Sequence, residues 1–212
     1  MKRFEIIHED DAIIVVDKPS GMLVIPSPRN EAHTLTALVN QYLDGRGVEV
    51  NAYPCHRIDR ETSGIMVFAK GKRFQRDMME EFKKRKVVKR YIAFIQGRLE
   101  RPSGTLKGAL YSRNKRRYQW AVTHYKLIKA LRGFSVLEVQ PITGRTNQIR
   151  AQFAEIGHPL LGERIFAFGR DFAIRFKRVA LHARALEFRH PVTKKRVAFS
   201  SDLPEDMRQL IG

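Results

Sequence analysis

One cysteine, Cys55, stands among 212 residues. That is too few for an internal disulfide or a cysteine-rich metal site, and it fits a reducing compartment. Long apolar runs are missing as well: near the start the longest is Ala12–Val16, far short of the ~20 residues that a bilayer crossing needs. No apolar core follows Lys2 and Arg3, so no secretory leader and no membrane partner are expected, and the reading is a cytoplasmic protein. There is no Gly-rich loop ending in Gly-Lys-Ser/Thr, no dinucleotide glycine fingerprint after a strand and no paired-His helix, which excludes the common nucleotide-binding and zinc-hydrolase patterns. The seven histidines lack cysteine or carboxylate partners at ligand spacing, so neither a metal nor another cofactor is expected. No Ser/Gly linker, repeat or low-complexity stretch interrupts the chain. A single catalytic-sized domain over 1–212 is the expectation.

Acidic residues are scarce too. Forty Lys and Arg face 22 Asp and Glu, a formal net charge of +18, while 43% hydrophobic residues leave ample material for a core. A folded protein with this balance usually meets a polyanion; a ribosomal-type structural protein or plain surface solubility are the bland alternatives. The cations cluster. Lys83 to Arg90 holds one run, Arg113 to Arg117 a second beside Tyr111, Tyr118 and Trp120, and Arg164 to Arg178 a third. Such runs are either solvated faces or tracks for backbone phosphates, and interleaved aromatics favour the second.

Periodicity gives a strand-rich pattern. Phe4–Ile7, Ala12–Val16, Ile65–Ala69, Tyr91–Ile95, Trp120–Leu127, Phe134–Val139, Leu181–Phe188 and Arg196–Phe199 read as strands. Thr34 can cap a helix bearing Leu35, Leu38, Val39 and Tyr42; Phe74, Met78 and Phe82 share the face of another; Ile149, Phe153 and Ile156 mark a short third. Irregularly interleaved helices favour α+β over a doubly wound fold.

Two segments are odd for a purely structural protein. His56-Arg57-Ile58-Asp59-Arg60-Glu61-Thr62-Ser63-Gly64 packs two arginines, a histidine and two carboxylates into six residues just before a buried strand. It is either a solvated loop with local ion pairs or the seat of an ionised carboxylate nucleophile, Asp59, kept charged by Arg57 and Arg60. Pro141-Ile142-Thr143-Gly144-Arg145-Thr146-Asn147-Gln148-Ile149-Arg150 links a strand to a helix with Thr146 as the expected N-cap. Arg145 and Arg150 then fall in the first helical turn, where the macrodipole disfavours cations. An anionic partner explains them; a structural Glu paired with Arg150 is the simpler alternative.

Together these segments resemble the signature blocks of the RluA-type pseudouridine synthases. His56 to Asp59 and Thr62 to Gly64 resemble the family's His-Arg-Leu-Asp and Thr-Ser-Gly, with Ile58 for Leu. Lys89, Tyr91 and Ala93 resemble its Lys-x-Tyr-x-Ala strand, and Thr143 to Arg150 its Thr-Gly-Arg-x-His-Gln-Ile-Arg block; Asp17 to Gly21, Gly157 to Pro159, Leu181 to Ala183 and His190-Pro191 match in order. Asn147 replaces the usual His, and Glu163 stands where Asp is common. The resemblance implies an α+β catalytic domain, with a mixed, mainly antiparallel central sheet, flanking helices and a cleft; its pattern begins at Phe4, so the separate N-terminal RNA-binding module of larger relatives is not expected. It also implies isomerisation of uridine to pseudouridine in ribosomal or transfer RNA, with base flipping and no cofactor or metal.

In this reading Asp59 is the nucleophile, Tyr91 stacks on the flipped base and Arg150 pairs with Asp59. Arg57, Arg60, Arg116, Arg117 and Arg145 contact RNA. RNA is the partner; an obligate protein partner is not expected, and a monomer is. A non-catalytic RNA-binding protein accounts for the charge but not for Asp59 among arginines. A metal-dependent nuclease would need more carboxylates than Asp59, Glu61 and Glu163.

Overall fold

The computed structural model describes residues 4–27, 31–112, 115–167 and 174–212. In chain order the elements are β1 (Glu5–Glu9), β2 (Ile13–Lys18), α1 (Leu35–Asp44), β3 (Ala52–Pro54), β4 (Ser63–Lys70), α2 (Lys72–Lys83) and β5 (Val88–Gln96). They continue with β6 (Ser103–Ser112), β7 (Arg117–Leu131), β8 (Phe134–Pro141), α3 (Gln148–Glu155), β9 (Leu181–Arg189), β10 (Arg196–Ser200) and α4 (Glu205–Arg208). Strands dominate and the helices are few, an α+β pattern with mainly antiparallel pairing, as the sequence indicates. The chain divides into two compact units, Met1–Val88 with Ala183–Asp202, and Lys89–His182 with Leu203–Gly212.

In the first unit β1 pairs antiparallel with β2, and β2 and β3 pair antiparallel with β4. β4 is buried along its whole length, as a strand covered on both faces must be. The β1–β2 turn is built by Asp10, whose Oδ1 accepts from the amides of Ala12 and Ile13 at 2.8 and 2.9 Å. Its Oδ2 meets His8 and His190 at 2.9 and 3.0 Å. Burial pushes this carboxyl up, but those four hydrogen bonds outweigh it and hold it at about 2. α1 starts where Thr34 Oγ1 accepts from the Ala37 amide at 3.2 Å and buries Leu35, Val39 and Leu43 at helical spacing.

The second unit is a four-stranded antiparallel array in the order β5-β8-β7-β6. Alternation along β5 sends Ala93 and Ile95 into a core with Leu137, Val139, Ile149 and Phe153, and Ile92 and Phe94 into a second with Phe134, Val136 and Met207. The array is therefore apolar on both faces at β5. At β6 it is not: that strand alternates between exposed and half-buried residues. β6, β3 and α4 are elements the periodicity does not reveal, and β7 runs longer than Trp120–Leu127.

Candidate active site

In the first unit, the segment from His56 to Gly64 joins β3 to β4, and Asp59 sits half-buried in a turn closed by the Thr62 amide donating to the Asp59 carbonyl at 3.2 Å. What anchors this turn is Lys18, at the end of β2 and fully buried. Its ammonium donates to the carbonyls of Pro19, Met22 and Arg60 at 3.0, 2.9 and 3.1 Å. Ser20 Oγ donates to the Glu61 carbonyl at 2.6 Å, and the Gly21 amide to the Arg60 carbonyl at 2.8 Å. Asp17 to Gly21 is thus a backbone clamp on the Asp59 loop. The signal in the sequence was a lysine closing the apolar run Ile13–Val16, because a buried cation needs several acceptors.

Just past the loop, Gly64 in β4 has φ +112, and a Cβ there would lie 2.3 Å from the Ala183 carbonyl oxygen. Only glycine fits so close an approach. His56 has a structural part: its ring stacks on Phe82 with centroids 5.0 Å apart, and Nε2 accepts from the Val67 amide at 3.2 Å. Arg57 is exposed. Arg60 is also exposed, and Nη2 pairs with Glu31 at 2.8 Å. Burial pushes the Cys55 thiol up to about 12, so it holds no thiolate for chemistry.

In the second unit, Tyr91 lies on β5 opposite Val139, half-buried against the core. Two residues earlier on the same face, Lys89 donates to the Thr143 carbonyl at 3.2 Å. This ties the Lys-x-Tyr strand to the block from Thr143 to Arg150. Within that block, buried Gln148 is saturated. Its Oε1 accepts from Thr143 Oγ1 and the Arg145 amide at 2.7 and 3.0 Å, and its Nε2 donates to Thr123 Oγ1 and the Val122 carbonyl at 2.8 and 3.0 Å. Thr123 Oγ1 in turn donates to Gln152 Oε1 at 2.6 Å. A polar network with its groups satisfied fixes one loop geometry.

That geometry corrects the expected cap. The helix begins at Gln148, and the capping position is Asn147, left-handed at φ 53, not Thr146. Arg145 therefore lies before the helix, with Nε donating to the Trp120 carbonyl at 3.0 Å. Arg150 is within the first turn and buried. Its Nε and Nη2 donate to the two carboxylate oxygens of Glu163 at 2.7 and 2.9 Å, and Nη1 to Asn147 Oδ1 at 3.2 Å. The structural Glu of the simpler alternative is thus present as one partner of Arg150.

The Ile165 and Phe166 amides donate to the same carboxylate at 2.8 and 3.2 Å. Burial pushes the Glu163 carboxyl up, yet the guanidinium and these amides more than offset it and set it below the usual range. The two departures from the family pattern, Asn147 and Glu163, thus fall on one guanidinium.

Arg116 (φ +48) and Arg117 are exposed where the β6–β7 hairpin turns into β7. The expectation that Arg178 belongs to a phosphate-tracking run is corrected: it is buried, and its fork grips Asp206 at 2.7 and 2.9 Å. Arg113 and Arg170 lie outside the described residues. Among the described residues no three His, Cys, Asp or Glu side chains gather as ligands for a metal ion, and no helix is long and apolar enough to cross a membrane.

A family model described as RNA pseudouridylate synthase matches residues 12–155. The ribosomal large subunit pseudouridine synthase D of Zymomonas mobilis is 34% identical over 97% of this chain and 71% of its own length. An uncharacterized RNA pseudouridine synthase of Bacillus subtilis is 34% identical over 98% of this chain and 71% of its own. Among solved structures, human RNA pseudouridylate synthase domain containing 4 shares the fold with a TM-score of 0.81 at 23% identity, covering 96% of this chain and 90% of that one. The match over most of the chain, with the signature blocks in order and built into clamped loops, makes it a member of the RNA pseudouridylate synthase family, an isomerase acting on RNA.

Proposed function

We propose that this enzyme isomerises uridine in large-subunit ribosomal RNA, in the cytoplasm and as a monomer, with Asp59 as nucleophile. The observation that carries the reading is the Asp59 loop itself: a half-buried carboxylate in a turn whose backbone is pinned by Lys18, Ser20 and Gly21. Preorganised placement of this kind is what a nucleophile needs. The names of the relatives favour ribosomal over transfer RNA.

In the reaction, the bond from ribose carbon 1′ to ring nitrogen 1 breaks and one to ring carbon 5 forms. Carbon 5 loses its proton and nitrogen 1 gains one, so no co-reactant is consumed. Tyr91 stacks on the flipped base and takes the carbon-5 proton. Flipping costs a few kcal/mol of unstacking, which Arg57 offsets by occupying the gap. Arg150, its fork fixed by Glu163, supplies cationic charge to the reaction. Arg60, Arg116, Arg117 and Arg145 contact RNA phosphates.

Mapping pseudouridines in cellular RNA with and without the protein tests the substrate. Sites that vanish from large-subunit RNA support the proposal; sites that vanish only from transfer RNA refute it. Asp59→Asn is expected to keep fold and RNA affinity while losing isomerisation by at least about a thousandfold. Turnover near the parent rate would remove Asp59 from its role.

A further inference from the structure

The β6–β7 hairpin has two unlike faces. Its inner face carries Leu106 and Tyr125 into the core, and Gln152 of α3 donates to the Leu106 and Ala121 carbonyls at 3.3 Å. The register pairs Tyr111 with Tyr118, Ala109 with Trp120 and Lys107 with Val122, so the other face carries Tyr111, Tyr118 and Trp120 together. These rings are 56, 71 and 58% exposed. Three large aromatics in a row on a solvent-facing ribbon oppose the hydrophobic effect unless something covers them. Near them are cations: Lys107 on the same face, Arg116 just before β7, and Arg145, whose Nε holds the Trp120 carbonyl.

We infer that this face is a stacking platform for unpaired nucleotides of the RNA substrate. The inference rests on the proposed RNA reaction and adds which part of the RNA is held, and how. Tyr118 and Trp120 are two residues apart on one strand, about 7 Å at strand rise. Stacked bases in a duplex lie about 3.4 Å apart, so the two rings suit bases splayed from one another, not a helix. Every base has a π-face, and stacking on aromatics with cations beside them is tolerant of sequence. The occupant is therefore single-stranded RNA, a loop or bulge, gripped without readout of its sequence. A protein or lipid partner would leave the surrounding arginines without counter-charge unless it too were acidic; the polyanion answers both features.

Trp120 is the only tryptophan in the chain, so its fluorescence reports the platform directly. The full-length protein is titrated with a uridine oligoribonucleotide of about ten residues and with an abasic ribose-phosphate oligomer of equal length. The oligoribonucleotide is expected to quench Trp120 and the abasic oligomer, which carries the same charge, is not. Tyr118→Ala and Trp120→Ala are each expected to weaken oligoribonucleotide binding roughly five- to hundredfold, and Trp120→Phe to restore most of the loss. These side chains are exposed, so the fold should survive, and a circular dichroism spectrum like the parent's confirms it.

Equal quenching by the abasic oligomer, or full affinity in both alanine variants, overturns the platform. So does parent self-association that Trp120→Ala abolishes, since the rings would then cover each other. Pseudouridine formation is measured separately. Its absence in the parent with quenching intact rejects the proposed reaction alone, and its presence without quenching rejects the platform alone.

Discussion

Arg150 places a guanidinium, only 5% exposed, in the first turn of a helix, where the macrodipole opposes it. Glu163 answers that charge with both oxygens, while Asn147 accepts a third hydrogen bond. Removing one partner of a buried pair leaves the other charge exposed to a poor dielectric, typically at a cost of about 3 kcal/mol or more. Glu163→Gln keeps the shape and loses the charge, so unfolding in urea near pH 7 should show a stability loss of about that size. Because the folded Glu163 sits below its ordinary value, its stabilisation is fully present above the unfolded carboxyl's titration and is lost as pH falls through the folded one. The gap between parent and variant should therefore be full at neutral pH and narrow as pH falls through and below the ordinary carboxylate range. A gap constant from pH 7 to pH 3 would mean that the charge contributes nothing and the hydrogen-bond shape alone matters.

At the scale of elements, β4 and the loop before it were readable because they obey strong rules. An uninterrupted apolar strand has to be covered on both faces, and a cluster of charges at its mouth demands partners. β6 was not readable: only one of its faces meets the core, and Gly104 and Gly108 blur the alternation. Gly104 is small for a packing reason, since a Cβ there would meet the Tyr125 ring at under 3 Å. The cap of α3 was also illegible. Thr146 and Asn147 are both capping residues, with Asn the stronger by local preference, so adjacent candidates left the position open; the structure puts Asn147 there, left-handed and without a side-chain capping bond. The Asp59 loop could be located from the sequence and Lys18 stood out beside its apolar run, whereas what Lys18 clamps could not be read, because its partners are backbone carbonyls and carry no side-chain signal.

Gly64→Ala should destabilise the protein by more than about 4 kcal/mol, since backbone must move to admit the Cβ and the φ is unfavourable. Thermal unfolding measures it, and a shift of a degree or two would show that the loop relaxes freely. Arg116→Ala with Arg117→Ala removes two charges from the hairpin. RNA affinity should fall alike for target and non-target sequences, and the slope of log affinity against log salt should flatten by roughly one to two. An unchanged slope would make this turn a solvated face.

Over the whole molecule, an excess of 18 positive charges raises the encounter rate with any RNA and makes binding strongly salt-dependent. Charge of this kind selects a class of partner. It cannot choose among uridines, because every RNA presents the same phosphates to it. Each of the two units also encloses apolar side chains of its own, Val15, Leu35, Met66 and Phe68 in one, Phe94, Leu137 and Phe153 in the other, so each can resist opening by its own amount.

The solitary Cys55 turns that into something measurable. Its thiol is buried in the first unit and raised to about 12, while the second unit has no cysteine at all. A water-soluble disulfide reagent can reach it only when the first unit opens, so the labelling rate in native buffer is a clock for that event. The rate should be slower than that of a free thiol by several orders of magnitude. It should rise with urea as the structure around Cys55 unfolds. The protein thus carries, at one atom and without any added probe, a stopwatch for the part of the chain that holds its proposed nucleophile.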